Sequence, residues 1–255
     1  MSGSQMQKEH LITDWSQPPD SLDLGSNHLD IWRVSLDLLT DTVKLLKPFL
    51  SEDEANRAAR FHFPADNVRY IAAHGCLREI LARYTHSDPD QLVFSVNRYG
   101  KPALRDHMLE FNLSHSGDFA LIAVTQALNV GVDVERIRSD LEIESITNRS
   151  FSKNEISELM VLPPEQRVVG FFDCWTRKEA YIKAHGLGLS LPLDSFDVSL
   201  TPGEPAILRA TRPDAEEAAR WTIIPLEVAP GYSAAVSFLG KDLDLRLWDW
   251  KLSRE

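Results

Sequence analysis

The chain has 255 residues, of which 43% are hydrophobic and 25% charged, a composition typical of globular proteins with one large domain or two smaller ones. Its formal net charge of −11 argues against general nucleic-acid binding, which depends on a basic surface. No apolar stretch approaches the roughly 20 residues that span a bilayer, and the first residues lack the features of a signal peptide. We therefore expect a cytoplasmic protein that acts without a membrane.

Positive charge is nevertheless concentrated in one segment, residues 55–101. Its basic residues are Arg57, Arg60, Arg69, Arg78, Arg83, Arg98 and Lys101, and its acids are Asp66, Glu79, Asp88 and Asp90. Any one arginine is consistent with a solvated helix face. As a group they suit a polyanionic small molecule, because guanidinium groups match the geometry of phosphate oxygens.

The chain contains two cysteines, Cys76 and Cys174. Each lies in an apolar segment with helical spacing, and the sequence offers no metal-binding spacing between them. We predict two buried free thiols in a reducing compartment, with a single long-range disulfide as the alternative.

The first half of the chain predicts a strand, two helices and a strand meander. Residues 1–27 are polar and rich in turn formers, so they are predicted to be a flexible lead-in. Ser51 and Glu54 form a capping-box pattern that predicts a short helix ending near Phe61. A second helix is predicted over 65–84 from its apolar spacing. The predicted strands are 28–37, 93–96, 103–104, 111–113 and 120–125.

A similar order of elements follows residue 130. Ser152 and Glu155 could cap a helix, and residues 170–184 form a strongly amphipathic one. Further strands are predicted over 131–135, 196–200, 206–209, 221–228 and 234–239. We predict an α+β fold of two similar halves, 28–130 and 131–245, related by a pseudo-twofold axis with a cleft between them, and a tail over 246–255. Because one chain supplies both halves, we expect a monomer.

Asp133 and Glu135 are candidate metal ligands. Residues two apart in a strand point to the same face, so these carboxylates would lie together while Val132 and Val134 enter the core. Two neighbouring carboxylates repel unless a cation neutralises them. Oxygen ligands suit Mg²⁺ or Mn²⁺, although the pair alone does not establish a metal site.

A second candidate lies on the amphipathic helix. Trp175, Glu179 and Lys183 are spaced four apart and share one stripe of it. Glu179, between Lys178 and Lys183, would be held ionised if partly buried, and fit to bind a metal or accept a proton. The alternative is an exposed Glu179–Lys183 salt bridge.

The third candidate is the end of a strand at Ser114 and His115, before Gly117. His115 could be a general base, a phosphate contact or a hydrogen-bonded turn residue. A serine-hydrolase site is excluded, because adjacent strand residues face opposite ways and no strand–nucleophile–helix elbow surrounds Ser114.

Together, three blocks resemble the signature motifs of 4′-phosphopantetheinyl transferases, most closely the double-length type that activates surfactin synthetase. The blocks are Ser114-His115-Ser116, Gly131-Val132-Asp133-Val134-Glu135 and Trp175-Thr176-Arg177-Lys178-Glu179-Ala180-Tyr181-Ile182-Lys183. The resemblance extends over residues 30–240. It implies the two-halved α+β fold of that family, with the active site in the cleft.

The resemblance also implies roles for the matching residues. The implied metal ligands are Asp133, Glu135 and Glu179. The implied catalytic residues are Glu179, Lys183, Asp133 and His115. The implied coenzyme A contacts are Arg57, Arg69, Lys101, Ser114, His115, Lys178 and Lys183. Glu179 is the expected base for the acceptor serine, and Lys183 is expected to contact the pyrophosphate. Glu155 lies where some members place a further acid.

The implied reaction moves the 4′-phosphopantetheine group of coenzyme A to a serine of an apo acyl, peptidyl or aryl carrier protein, with Mg²⁺ (or Mn²⁺) as cofactor. It leaves adenosine 3′,5′-bisphosphate. Such carriers serve fatty acid, polyketide and nonribosomal peptide synthesis. Two alternatives remain open: a non-catalytic coenzyme A sensor, and an unrelated magnesium phosphotransferase acting on a small alcohol.

Overall fold

The computed structural model describes residues 14–38, 40–105 and 108–252, except for the side chain of Leu189. The helices are α1 (Thr40–Leu46), α2 (Glu52–Ala58), α3 (Pro64–Thr85), α4 (Ile143–Ser150), α5 (Lys153–Val161) and α6 (Pro164–His185). The strands are β1 (His28–Ser35), β2 (Phe94–Val96), β3 (Pro102–Leu104), β4 (Leu109–Ser116), β5 (Phe119–Gln126), β6 (Val130–Arg136), β7 (Phe196–Val198), β8 (Leu208–Thr211), β9 (Trp221–Pro225), β10 (Tyr232–Leu239) and β11 (Asp244–Asp249).

Two sheets form the centre of the fold. The first has the strand order β11-β1-β5-β4, and the second has the order β6-β10-β9. Pairing is antiparallel except between β1 and β11. Two small hairpins, β2–β3 and β7–β8, lie outside these sheets.

Strand β1 is apolar on both faces because both faces are buried. Trp32 and Val34 pack in the cluster that contains α3 residues such as Cys76. Leu29 and Ile31 belong to the cluster that also contains residues of the second sheet. The first sheet therefore lies between α3 and the second sheet, which explains why its strands do not show clean polar–apolar alternation.

One face of strand β6 packs in the core between the two sheets, and the other face packs against α6. Val132 and Val134 are fully buried in the core between the sheets. On the other face Gly131 is in such close contact with α6 that an added Cβ would lie 2.2 Å from the Ala184 nitrogen and 2.3 Å from the Ala180 carbonyl oxygen. The layers thus run α3, first sheet, second sheet, α6, and Gly131 sets the distance between the last two.

The predicted α+β class is confirmed, and so are the two thiols, since Cys76 and Cys174 are both free and buried. The helix predicted to reach Phe61 ends at Ala58, and helices α1 and α4 were not predicted. None of the helices in the described part of the chain is both long and apolar enough to cross a membrane.

Both ends of the described chain are more firmly held than the sequence predicted. The predicted tail 246–255 is wrong in its first residues, because β11 pairs in parallel with β1 along its whole length. Most of the predicted lead-in, residues 1–13, lies outside the described residues. From there on the chain is held in place: the Trp15 indole donates to the Glu227 carbonyl over 2.7 Å, and Ser16 bridges to Trp248.

Replacing Gly131 with alanine should lower the free energy of unfolding by about 3 kcal/mol or more, because the methyl group would collide with backbone atoms that cannot rotate away. Gly203→Ala is the matched control: nothing lies within 4 Å of its added Cβ, so only backbone strain of about 1 kcal/mol is expected. Urea unfolding of both variants measures the difference. Equal losses would show that the contact between β6 and α6 is not tight.

Candidate active site

The edges of the two sheets meet where β4 lies beside β6. Here alternate side chains of β4, rather than its backbone, satisfy alternate N–H groups of β6. The acceptors are the side-chain oxygens of Asn112, Ser114 and Ser116, and the donors are the backbone nitrogens of Val132 (2.8 Å), Val134 (3.4 Å) and Arg136 (3.1 Å), respectively. We call this contact the seam.

The seam also orients the two carboxylates of β6. The Ser114 hydroxyl donates to Asp133 Oδ1 over 2.8 Å, and the Ser116 hydroxyl donates to Glu135 Oε2 over 2.8 Å. Each serine therefore holds the backbone of β6 and one of its acids at once. The prediction that Asp133 and Glu135 share a face is consistent with this arrangement.

Helix α6 supplies the opposite wall of a cleft of about 380 Å³. The lining residues are Leu113, Ser114, His115, Asp133, Glu135, Trp175, Glu179 and Lys183. The stripe predicted from four-residue spacing thus faces the two acids of β6. Residues from all three sequence blocks meet in one place.

Charges in the cleft are unevenly matched. Lys183 Nζ lies 2.5 Å from Asp133 Oδ1 and 3.0 Å from the Ser114 hydroxyl oxygen. Asp133 Oδ2 is buried and has no hydrogen-bond partner within the described residues. Across residues 14–38, 40–105 and 108–252, Glu179 likewise shows no hydrogen bond or ion pair, so the expected alternative of a Glu179–Lys183 salt bridge is not formed.

Burial is the main reason why the pKa values of the three carboxylates in the cleft are raised. Burial raises the pKa of Asp133, against the opposing effects of Lys183 and the Ser114 hydroxyl. Burial followed by the charge of Asp133 raises the pKa of Glu135 and of Glu179. A cation in the cleft would lower all three pKa values, because it favours the ionised forms.

The cleft fits a hard cation in chemistry but does not form a complete shell for one. Its carboxylate and hydroxyl donors are the kind that Mg²⁺ prefers, and Asp133 Oδ2 is a buried oxygen without a partner. In the part of the chain that the structure describes, no group of three or more His, Cys, Asp or Glu side chains is arranged to hold a metal ion. Oxygens from substrate or water must supply the remaining ligands.

Basic side chains lie near His115 in the cleft. Partial desolvation, followed by the charges of His74, Lys183 and Arg57, lowers the pKa of His115. Arg57 is exposed, and its guanidinium lies 5.7 Å from the ring centre of Tyr70. The positive charge of Lys183 and Arg57 near His115 favours contact with an anionic ligand there.

The two other predicted basic contacts already have protein partners. Arg69 donates to Asp118 over 2.7 Å at the turn after β4. Lys101 Nζ lies 3.1 Å from the Val130 carbonyl oxygen and 3.3 Å from that of Ala184, and burial lowers its pKa. In this arrangement Lys101 fastens the turn before β3 to the end of α6.

Comparisons with known proteins identify the family. The family model described as "4'-phosphopantetheinyl transferase, N-terminal" matches residues 32–127, and that of the "4'-phosphopantetheinyl transferase superfamily" matches residues 129–237. The chain belongs to the 4′-phosphopantetheinyl transferase superfamily.

Curated relatives support the same family. The 4'-phosphopantetheinyl transferase HetI of Nostoc sp. is 37% identical over 240 residues, which are 92% of this chain and 98% of the relative. The 4'-phosphopantetheinyl transferase Sfp of Bacillus subtilis is 34% identical over 190 residues, 74% of this chain and 81% of the relative. The psf-1 transferase of Bacillus pumilus is 36% identical, over 76% of this chain and 81% of that protein.

Lys178 lies apart from the cleft, although it was expected to bind coenzyme A and to flank Glu179. It is fully buried, and its ammonium lies 2.7 Å from both carboxylate oxygens of Glu155 and 2.8 Å from the Phe196 carbonyl oxygen. Glu155 is equally buried and also caps α5. The pair connects α5 to α6, and neither member lines the cleft.

Sequence reasoning missed the roles of Asn112 and Ser116. The signal was present, because polar residues at 112 and 114 alternate with apolar residues at 111 and 113, and the period continues to Ser116. The sequence did not identify β6 as the strand that these side chains contact, since β4 could have paired with any other strand edge.

Lys178→Met should lower the free energy of unfolding by about 3 kcal/mol or more, because it leaves the buried Glu155 carboxylate without its counter-charge. Lys153→Met, an exposed lysine of α5, is the control and should have little effect. Urea unfolding and coenzyme A binding are both measured. A stable Lys178→Met protein with lost coenzyme A affinity would instead restore Lys178 as a ligand.

Proposed function

We propose that this protein uses the cleft between β4, β6 and α6 to transfer the 4′-phosphopantetheine group of coenzyme A to a serine of an apo carrier protein, in a magnesium-dependent reaction. The observation that carries the proposal is the convergence of Asp133, Glu135, Glu179 and Lys183 in one cleft of a family member. These side chains lie up to 50 residues apart in sequence.

The part of the cleft around His115 would bind the phosphates of coenzyme A. His115, with Arg57 nearby, offers donors and positive potential to an anion. Ser114 and Lys183 also line the cleft and would contact the pyrophosphate. Arg69 would contribute after release from Asp118, and Lys101 mainly by holding the turn in place.

Asp133 and Glu179, with Glu135 beside them, would hold Mg²⁺ (or Mn²⁺). The fit rests on Asp133 Oδ2, which is buried and accepts no hydrogen bond from the described residues, and on the half-buried Glu179 carboxylate that also lines the cleft. Mg²⁺ usually keeps several waters and binds one or two carboxylates together with substrate phosphates, so an incomplete protein shell is expected. When bound, the ion neutralises charge that develops on the pyrophosphate.

Glu179 is the proposed base. Its carboxylate faces the cleft and has no competing hydrogen bond, so it can accept the proton of the carrier serine. The serine oxygen then bonds to the β-phosphorus, and the bond from that phosphorus to the bridging oxygen breaks in line. Lys183 would stabilise the departing adenosine 3′,5′-bisphosphate through its positive charge.

Further features of the proposal follow the family resemblance. The acceptors would be acyl, peptidyl or aryl carrier proteins, and the enzyme would act as a cytoplasmic monomer whose two halves, 28–130 and 131–245, enclose the cleft. A non-catalytic coenzyme A sensor would need the same phosphate contacts. It would not need an acid like Glu179, which is half-buried at some cost and forms no hydrogen bond or ion pair with the described residues.

Glu179→Gln should reduce kcat for carrier modification by about 100-fold or more, because the amide cannot accept the serine proton. Asp133→Asn should reduce it comparably through loss of the metal. Glu165→Gln, an exposed acid on the same helix, is the control. The increase in carrier mass after incubation with coenzyme A and Mg²⁺ measures transfer. Wild-type rates for Glu179→Gln, or an unmodified carrier with the native protein, would contradict the proposal.

A further inference from the structure

Lys183 is the counter-ion of the cleft in the absence of a ligand. Within the described residues, no other lysine and no arginine lines the cleft, whereas three carboxylates do. Its ammonium lies 2.5 Å from Asp133 Oδ1 and 3.4 Å from the Val132 carbonyl oxygen. It therefore uses one oxygen of the same carboxylate that the proposed metal site needs.

A lysine and a divalent cation cannot both be tightly bound at Asp133 without strong repulsion. Two positive charges a few ångströms apart at a buried carboxylate repel each other strongly, because the protein interior screens charge less than water does. Any metal that uses Asp133 must therefore displace the ammonium or bind weakly.

Asp133 and Lys183 differ in their freedom to move. The Asp133 side chain is 3% exposed, whereas that of Lys183 is 27% exposed. Asp133 is also fixed by the Ser114 hydroxyl, which belongs to the seam. Lysine carries its charge on a flexible four-carbon stem, so Lys183 is the partner that moves.

We propose that Lys183 blocks tight metal binding in the free enzyme and that the pyrophosphate of coenzyme A, by drawing the ammonium away from Asp133, makes the metal site available. This inference rests on the proposed function, since it assigns the metal and coenzyme A to the same cleft. It adds an order to the reaction: the divalent ion binds tightly only together with the pyrophosphate. Lys183 would then both contact the pyrophosphate and prevent tight binding of the metal ion without it.

Removing the lysine should strengthen metal binding by the free protein and weaken the effect of coenzyme A on that binding. Lys183→Gln should bind Mn²⁺ about tenfold or more tightly than the native protein without coenzyme A. Coenzyme A should tighten Mn²⁺ binding in the native protein, and Lys183→Gln should lose most of that enhancement. Coupling between two ligands is reciprocal, so Mn²⁺ should tighten coenzyme A binding by the same factor.

Electron paramagnetic resonance of free Mn²⁺, in titrations of metal-free protein with and without coenzyme A, measures these affinities without any turnover. Lys183→Arg keeps the positive charge and should keep weak binding. Lys44→Gln removes an equal charge from the exposed helix α1 and should not change the affinity. Asp133→Asn in the Lys183→Gln background should abolish the tight site, which locates it.

Equal or weaker Mn²⁺ binding by folded Lys183→Gln would overturn the inference, and so would an unchanged effect of coenzyme A. If that variant does not fold, Lys183→Met and the reciprocal coupling in the native protein decide the question. Transfer to an apo carrier by the native protein is measured separately. Its failure would refute the proposed function, whereas transfer with no gain in Mn²⁺ affinity would refute only the role of Lys183.

Discussion

The rest of the structure depends on the hydrogen bonds from β6 to the side chains of β4. Without them, two sheet edges would meet with N–H groups left unpaired in a buried interface, which costs free energy. Asn112, Ser114 and Ser116 remove that cost by accepting from alternate residues of β6. The same two serine hydroxyls orient Asp133 and Glu135. The contact that joins the sheets is therefore also the contact that builds the site.

The second constraint is the close approach of α6. Gly131 leaves room for the backbone of the helix, and this brings Glu179 and Lys183 opposite the acids of β6. The result is a cleft with more negative than positive charge, a feature that does not help folding. Such local imbalance is typical of functional sites. Here it is the property that would attract a divalent cation and a phosphate ester together.

Much of the site followed from local rules in the sequence. The two-residue period placed Asp133 and Glu135 on one face, and the four-residue period placed Glu179 and Lys183 on one stripe. These periods are properties of the backbone and need no knowledge of the fold. By contrast, Lys178 is adjacent to Glu179 in sequence but turns by about 100° around the helix axis. It therefore enters the core and meets Glu155.

What the sequence did not reveal depends on long-range pairing. Strand β11 is a short polar-aromatic segment, and only its partner β1, more than 200 residues earlier, makes it a strand. The contact between β4 and β6 could not be predicted either, because it also depends on long-range pairing. Lys183 was expected to contact the pyrophosphate. Its ion pair with Asp133 was not predicted, because it depends on how closely α6 approaches β6.

A crystal of the protein grown with Mn²⁺ and coenzyme A tests the central claim most directly, because Mn²⁺ is located by its anomalous scattering. The account predicts one strong peak in the cleft, in direct contact with Asp133 Oδ2 and Glu179 and with a pyrophosphate oxygen. Lys183 should then be turned from Asp133 toward a phosphate. A peak away from these two carboxylates, or coenzyme A bound outside the cleft, would contradict it.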